Sequence, residues 1–170
     1  TPSVLVGSLV DDRVNFMTAA WCGIASSKPP AIAVAIRGER HTLKGIMEHK
    51  AFSINVPTAA MAAQVDFCGI YSGRREDKSN IFTVFTGDLA HAPLVDACPV
   101  NLECRLRHTL DLGAHILVIG EVTEAHVNEN CLSDGKPDGN KIDPLIYAPG
   151  TGTYHRLGEI VGQAFSIGKK

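Results

Sequence analysis

Aromatic residues are scarce in this chain, 6% with a single tryptophan, and most of the motifs that mark cofactor and metal sites are missing. Five cysteines, Cys22, Cys68, Cys98, Cys104 and Cys131, form an odd set with no CxxC spacing. Neither a disulfide framework nor a zinc knuckle is indicated, and reduced thiols are expected. HExxH is absent and the seven histidines are scattered singly, so no spacing supports a metal site. There is no GxGxxG and no GxxxxGK[ST]; Gly150-Thr151-Gly152-Thr153 is a lone glycine pair that reads as a turn, and a dinucleotide in a Rossmann site is not expected. No stretch approaches the roughly eighteen apolar residues of a membrane helix. Thr1-Pro2-Ser3 lacks the basic start of a signal peptide, and the expected compartment is the cytoplasm. Sixteen Lys and Arg are balanced by eighteen Asp and Glu, leaving no basic face for a nucleic-acid backbone.

What remains is a chain of 170 residues, 45% hydrophobic and 20% charged, which fits one domain with a sizeable core. Residues 3 to 9 read as a strand, Asp11-Asp12-Arg13 as a turn and Val14 to Trp21 as the hairpin partner. After Pro29-Pro30 the run AIAVAIR, residues 31 to 37, has the continuous apolar character of a central strand covered on both faces. Thr42 is placed to cap a helix ending at His49, Phe52 to Val56 returns as a strand, and Thr58 is placed to cap an alanine-rich helix ending near Gly69. In NLECRLRHT, residues 101 to 109, Leu102, Cys104 and Leu106 alternate with polar neighbours; Asp111-Leu112-Gly113 turns the chain into a partner strand, residues 114 to 122. Gly120 inside that partner predicts a bulge or a close backbone approach. Residues 131 to 144 read as a polar loop. The order implies a mainly β fold, a β-barrel with peripheral helices and not a doubly wound sheet.

The chemistry concentrates in NFMTAAWCGIASSKPPAIAVAIRGERHT, residues 15 to 42. Small side chains at Thr18, Ala19 and Ala20 let a flat ligand approach the strand backbone, whose N–H and C=O groups can meet the polar edge of a heteroaromatic ring. Trp21 offers an apolar wall. Ser26, Ser27 and Thr42 add hydroxyl groups, while Arg37, Arg40 and Lys78 can neutralise a phosphate. On composition alone, the same stretch also reads as an ordinary hairpin with a solvated RGER turn.

The segments NFMTAAWCGIASSKPPAIAVAIR, FSINVP, SGRREDK, LECRLRHTLDLGAH…GEV and AFSIGK resemble, in this order, the flavin reductase-like family with the FMN-binding split-barrel fold, and most closely its flavoredoxin branch. The resemblance implies a single domain over residues 1 to 170 that binds FMN non-covalently at the interface of a homodimer. It places Asn15, Thr18, Ala19, Ala20 and Trp21 along the isoalloxazine with Cys22 nearby, and Ser26 and Ser27 beside the ribityl chain or phosphate. Arg37, Arg40, His41 and Thr42 fall at phosphate and ring-edge positions, with Lys78 a second phosphate contact and Tyr154 and His155 reaching in from the C-terminal segment. The implied chemistry is the flavin's own, hydride or electron transfer from NAD(P)H to an acceptor, with no catalytic side chain required. The flavoredoxin likeness keeps open an electron carrier with tightly held FMN and a protein partner, and a redox-quiet FMN module is the third reading.

Overall fold

A computed structural model describes residues 1 to 169. The chain begins with β1 (Val4–Val10), turns through Asp11 and Asp12, both at positive φ, and returns as β2 (Arg13–Ala19), paired Val4 with Ala19 through Val10 with Arg13. A further strand, β3 (Cys22–Ser27), follows at once and precedes β4 (Pro30–Arg37). The sequence reading passed over β3, because its small, mostly exposed residues carry no alternation. Helix α1 (His41–His49) leads to β5 (Ala51–Val56), and a 3₁₀ turn over Ala59–Met61 runs into α2 (Ala62–Ile70). The short pair β6 (Val84–Phe85) and β7 (Leu94–Val95) precedes the long hairpin of β8 (Val100–Asp111) and β9 (His115–Val127). The segment read as a polar loop holds the small hairpin β10 (Leu132–Ser133) and β11 (Lys136–Pro137) and the short helix α3 (Gly139–Ile142). The regular structure ends with β12 (Ile146–Ala148) and β13 (Thr153–His155).

Seven strands form one antiparallel sheet in the order β2-β1-β5-β8-β9-β4-β3. The two edges come from one continuous stretch of chain: at Ala20-Trp21 the backbone bends out of β2 into β3, and the Ala35 amide donates to the Trp21 carbonyl at 2.9 Å. That bond continues the β3–β4 ladder by one residue, and the bend joins the two edge strands in sequence; the expected mainly β fold with a few peripheral helices is what forms. Its interior holds Val6, Met17, Val34, Ile36, Phe52 and Val118, with Leu43 and Ile46 of α1 packed against them. A second core lies outside β1 and β2, where Val65 and Cys68 of α2 meet Leu5 and Phe16. Gly120 is required by close approach: a Cβ there would lie 2.5 Å from the Phe52 ring, and the register of β8 shifts opposite it between Leu106 and His108.

Two expectations change. Thr42 does not cap α1: the helix starts one residue earlier, Arg40 holds the capping position without a side-chain bond, and the buried Thr42 hydroxyl accepts from Asn15 Nδ2 at 2.7 Å. Thr58 stands at the expected cap position, also without a side-chain bond. The AIAVAIR strand is covered on one face only. Ile32, Val34 and Ile36 point into the barrel, while Ala31, Ala33 and Ala35 are half-buried on the other side, beside the edge strand β3.

Candidate functional site

Where β2 runs into β3, a cavity of about 460 Å³ opens against the barrel wall. Its floor is strand backbone: Thr18, Ala19 and Ala20 line it together with Ala35 of β4, and three alanines at this crossing leave peptide edges within reach of a flat ligand. Trp21 and His115 form one side, packed edge to face with ring centroids 4.9 Å apart. Register explains the meeting, since His115 opposes Arg37 in the β4–β9 ladder. Arg37 and Arg40 bring cationic charge to the rim. Arg37 is largely exposed, and among the described residues its one ion-pair partner is Glu39 at 3.8 Å; Arg40 is half-buried and donates from Nη1 to the Gly69 carbonyl at 2.8 Å.

The remaining wall comes from α2 and the C-terminal hairpin. Asp66 and Gly69 contribute from α2, and Tyr147 and Tyr154 from β12 and β13. Tyr154 Oη donates to Asp66 Oδ1 at 2.9 Å; burial and that bond to a carboxylate push the phenol up to about 12, so it stays a hydrogen-bond donor at neutral pH. Thr18 Oγ1 donates to the Val65 carbonyl, tying β2 to α2. Two polar atoms of the lining residues, His115 Nε2 and Ser3 Oγ, are buried with no partner among the described residues. Both atoms have essentially no accessible area, so they lie behind the cavity surface and are not contact points for a ligand in it.

The residues anticipated from sequence divide between this cavity and a second one. Thr18, Ala19, Ala20, Trp21, Arg37 and Arg40 line the first. Asn15, His41 and Lys78 instead line a neighbouring cavity of about 530 Å³, together with Arg74 and Arg75. Lys78 is only 3% exposed, and its Nζ donates at 3.0 Å to the carbonyls of Phe16 and Cys68. With Arg40 on Gly69 it supplies cations at the carbonyl end of α2, the electrostatically favoured place for them. Burial holds the Lys78 ammonium below its ordinary value. Thr42 is buried beneath Asn15, Ser26 and Ser27 lie opposite Ala31 and Pro30 on the edge strand, and none of the three lines either cavity. Cys22 packs half-buried against the barrel core, where burial pushes its thiol up to about 12; it is a packing residue at neutral pH, not a nucleophile. His155 is exposed and pairs with Thr153 Oγ1 at 2.7 Å.

Sequence reasoning missed His115, Asp66, Ser3 and Tyr147. A lone histidine carries no motif, and only the β4–β9 register reveals that it stands beside Trp21 and Arg37.

The profile of the flavin reductase like domain matches residues 1–158. The chain belongs to the flavin reductase-like family. Among solved structures of the family, the flavoredoxin of Desulfovibrio vulgaris (Miyazaki F) is 43% identical with a TM-score of 0.92, over 99% of this chain and 93% of that one. The flavoredoxin of Methanosarcina acetivorans is 36% identical with a TM-score of 0.96, over 99% and 90%. An FMN-binding protein of Thermus thermophilus, solved with 1-cyclohex-2-enone bound, is 28% identical with a TM-score of 0.85, over 95% and 89%. The sheet described above is thus the family's fold.

Proposed function

We propose that the protein is an FMN-dependent oxidoreductase whose FMN sits in the 460 Å³ cavity at the β2–β3 bend. The observation that carries this reading is the set of residues gathered there: two arginines, a strand lined by alanines, and the packed Trp21–His115 pair. Arg37 and Arg40 neutralise the phosphate. The backbone of Thr18 to Ala20 addresses the polar edge of the ring, and Trp21 with His115 supplies the wall. When bound, FMN supplies hydride or electron transfer; the protein positions it, keeps water from one side and controls which partner reaches the other. NAD(P)H is the proposed donor, bound without a dinucleotide fold. The pair of flavoredoxins among the similar structures favours a second reading, an electron carrier that exchanges electrons with a protein.

The deciding experiment is anaerobic addition of NADH, then NADPH, to the FMN-loaded protein while the flavin's visible absorption is followed. Rapid bleaching by either nucleotide supports the reductase. Colour that persists with both nucleotides and disappears with dithionite assigns the protein to the carriers.

A further inference from the structure

The segment that follows β13 carries large apolar side chains that the chain itself leaves uncovered. Residues 155 to 169 are exposed throughout, and they include Leu157, Ile160, Val161, Phe165 and Ile167, with Val161 92% and Phe165 96% exposed. The base of the segment is fixed. Arg156 Nη2 lies 3.4 Å from Asp143 Oδ2, and Leu157 packs on Gly139 of α3, its Cδ1 3.3 Å from where a Cβ would stand. Past that point the backbone hydrogen bonds found among the described residues are internal: the Ser166 and Ile167 amides donate to the Gln163 carbonyl at 3.3 and 3.0 Å, and the Lys169 amide to the Ser166 carbonyl at 3.0 Å. A solvated tail is poor in large apolar residues. Here Leu157, Ile160, Val161 and Phe165 stand at i, i+3, i+4 and i+8, the spacing of a stripe that docks as a unit, and most of it lies beyond the residues that the family profile matches.

A second uncovered apolar feature lies on the sheet. Register aligns Trp21, Ala35, Leu117 and Leu110 in one row: the Ala35 amide bonds the Trp21 carbonyl, Ala35 opposes Leu117, and Leu117 opposes Leu110. Side chains in one row across a sheet share a face. Val34 and Ile36 point into the barrel, so the row through Ala35 faces outward, and Trp21 and Leu110 are each more than half exposed. We propose that residues 157 to 167 form an arm that crosses to a second copy of the chain and lies on this row, each copy covering the other's. The partner is a copy of the chain because both halves of the contact, arm and row, are apolar, uncovered and present on every chain, and a two-fold pairing satisfies both at once. Eleven residues reach about 35 Å when extended, enough to cross a small domain about 30 Å wide. The inference stands apart from the FMN assignment, and neither measurement below reads the flavin.

Photocrosslinking tests the contact directly, with Phe165→p-benzoylphenylalanine in the purified full-length protein. Irradiation is expected to give a product of twice the chain mass, and mass spectrometry is expected to map the linkage to the peptides of the second copy that hold Trp21, Leu110 or Leu117. The arm's contribution to association is read separately by light scattering over a dilution series. Val161→Glu combined with Phe165→Glu, both at positions exposed in the single chain, is expected to raise the dissociation constant of the dimer at least ~10-fold, the effect of about 1.4 kcal/mol, with an unchanged circular dichroism spectrum. A linkage within one chain, a linkage to any other face of the second copy, or no linkage at all overturns the inference. So does a wild type that is monomeric throughout the series, or a paired variant that dissociates at the same concentration as the wild type.

Discussion

At Arg37 and Lys78 two cations that look equivalent in sequence do different physical work. Arg37 ends β4 with its guanidinium largely in solvent and, among the described residues, one long ion-pair contact to Glu39, so little structure depends on it. Arg37→Ala is expected to weaken FMN by about 1.5–3 kcal/mol, the worth of a hydrogen bond to a charged group, with an unchanged melting temperature; calorimetric titration with FMN and a thermal melt check both. Lys78 spends two of its three N–H donors on the carbonyls of Phe16 and Cys68 and so braces β2 against α2, two of the elements that line the cavity at the β2–β3 bend. Lys78→Met leaves both carbonyls unsatisfied and is expected to cost about 1–3 kcal/mol of stability. Because it loosens the cavity as a whole, FMN and riboflavin should weaken by the same factor. Riboflavin lacks the phosphate, and a loss confined to FMN would move Lys78 onto that group.

At the scale of elements, the β8–β9 hairpin carries a device that fixes the loop after β6. Glu103, fully buried on β8, accepts from the Asp88 amide at 3.2 Å and the Leu89 amide at 2.5 Å, and its Oε1 lies 2.8 Å from His126 Nε2 on β9. Gly87 makes the approach possible, since a Cβ there would lie 1.9 Å from Glu103 Oε1. Burial pushes the Glu103 carboxyl up, but the bonds from His126 and the two amides outweigh it and hold it below its ordinary value. A carboxyl held lower in the folded than in the unfolded chain stabilises the fold above the unfolded value near ~4.3, and that stabilisation is lost as pH falls through the folded value. The wild type should therefore lose stability on acidification below about pH 4.3, and Glu103→Gln, less stable at pH 7, should show a flatter acid limb. Urea unfolding at a series of pH values measures both curves. Little of this was legible in the sequence. Alternation in residues 101 to 109 exposes β8, and Gly120 announces a close approach, because both are local patterns. The pairing of Glu103 with His126 depends on register across a hairpin interrupted by two shifts, which no local pattern encodes. The same limit divides the candidate site. The run from Thr18 to Trp21 declares itself by small residues in series, whereas His115, Asp66 and Ser3 join it only through strand pairing and helix packing.

On the scale of the whole molecule, apolar surface is left uncovered in one region of the sheet. Ile24 on β3 is 88% exposed, Leu110 and Leu112 at the β8–β9 tip are each 56% exposed, and Trp21 beside the cavity is 53% exposed. Strands β8, β9, β4 and β3 are consecutive in the sheet, and the half-buried face of Ala31, Ala33 and Ala35 belongs to the same group of strands. Exposed apolar side chains on consecutive strands suit an interaction surface. Alanines on a flat sheet face suit close approach by another sheet, and a second copy of the chain presents the same surface for a two-fold pairing. A dimer built there would place its interface beside Trp21 and the cavity proposed for FMN, and association and FMN binding would then be linked by mass action. Leu110→Glu inserts a charge into that interface at a position exposed in the single chain, where it costs the fold little. On this pairing the wild type is expected to elute as a dimer with light scattering and the variant as a monomer that keeps its circular dichroism spectrum and binds FMN more weakly. A Leu110→Glu protein that stays dimeric and holds FMN as tightly as the wild type would place the interface on another face. A monomeric variant with undiminished FMN affinity would instead show that one barrel suffices to hold the cofactor.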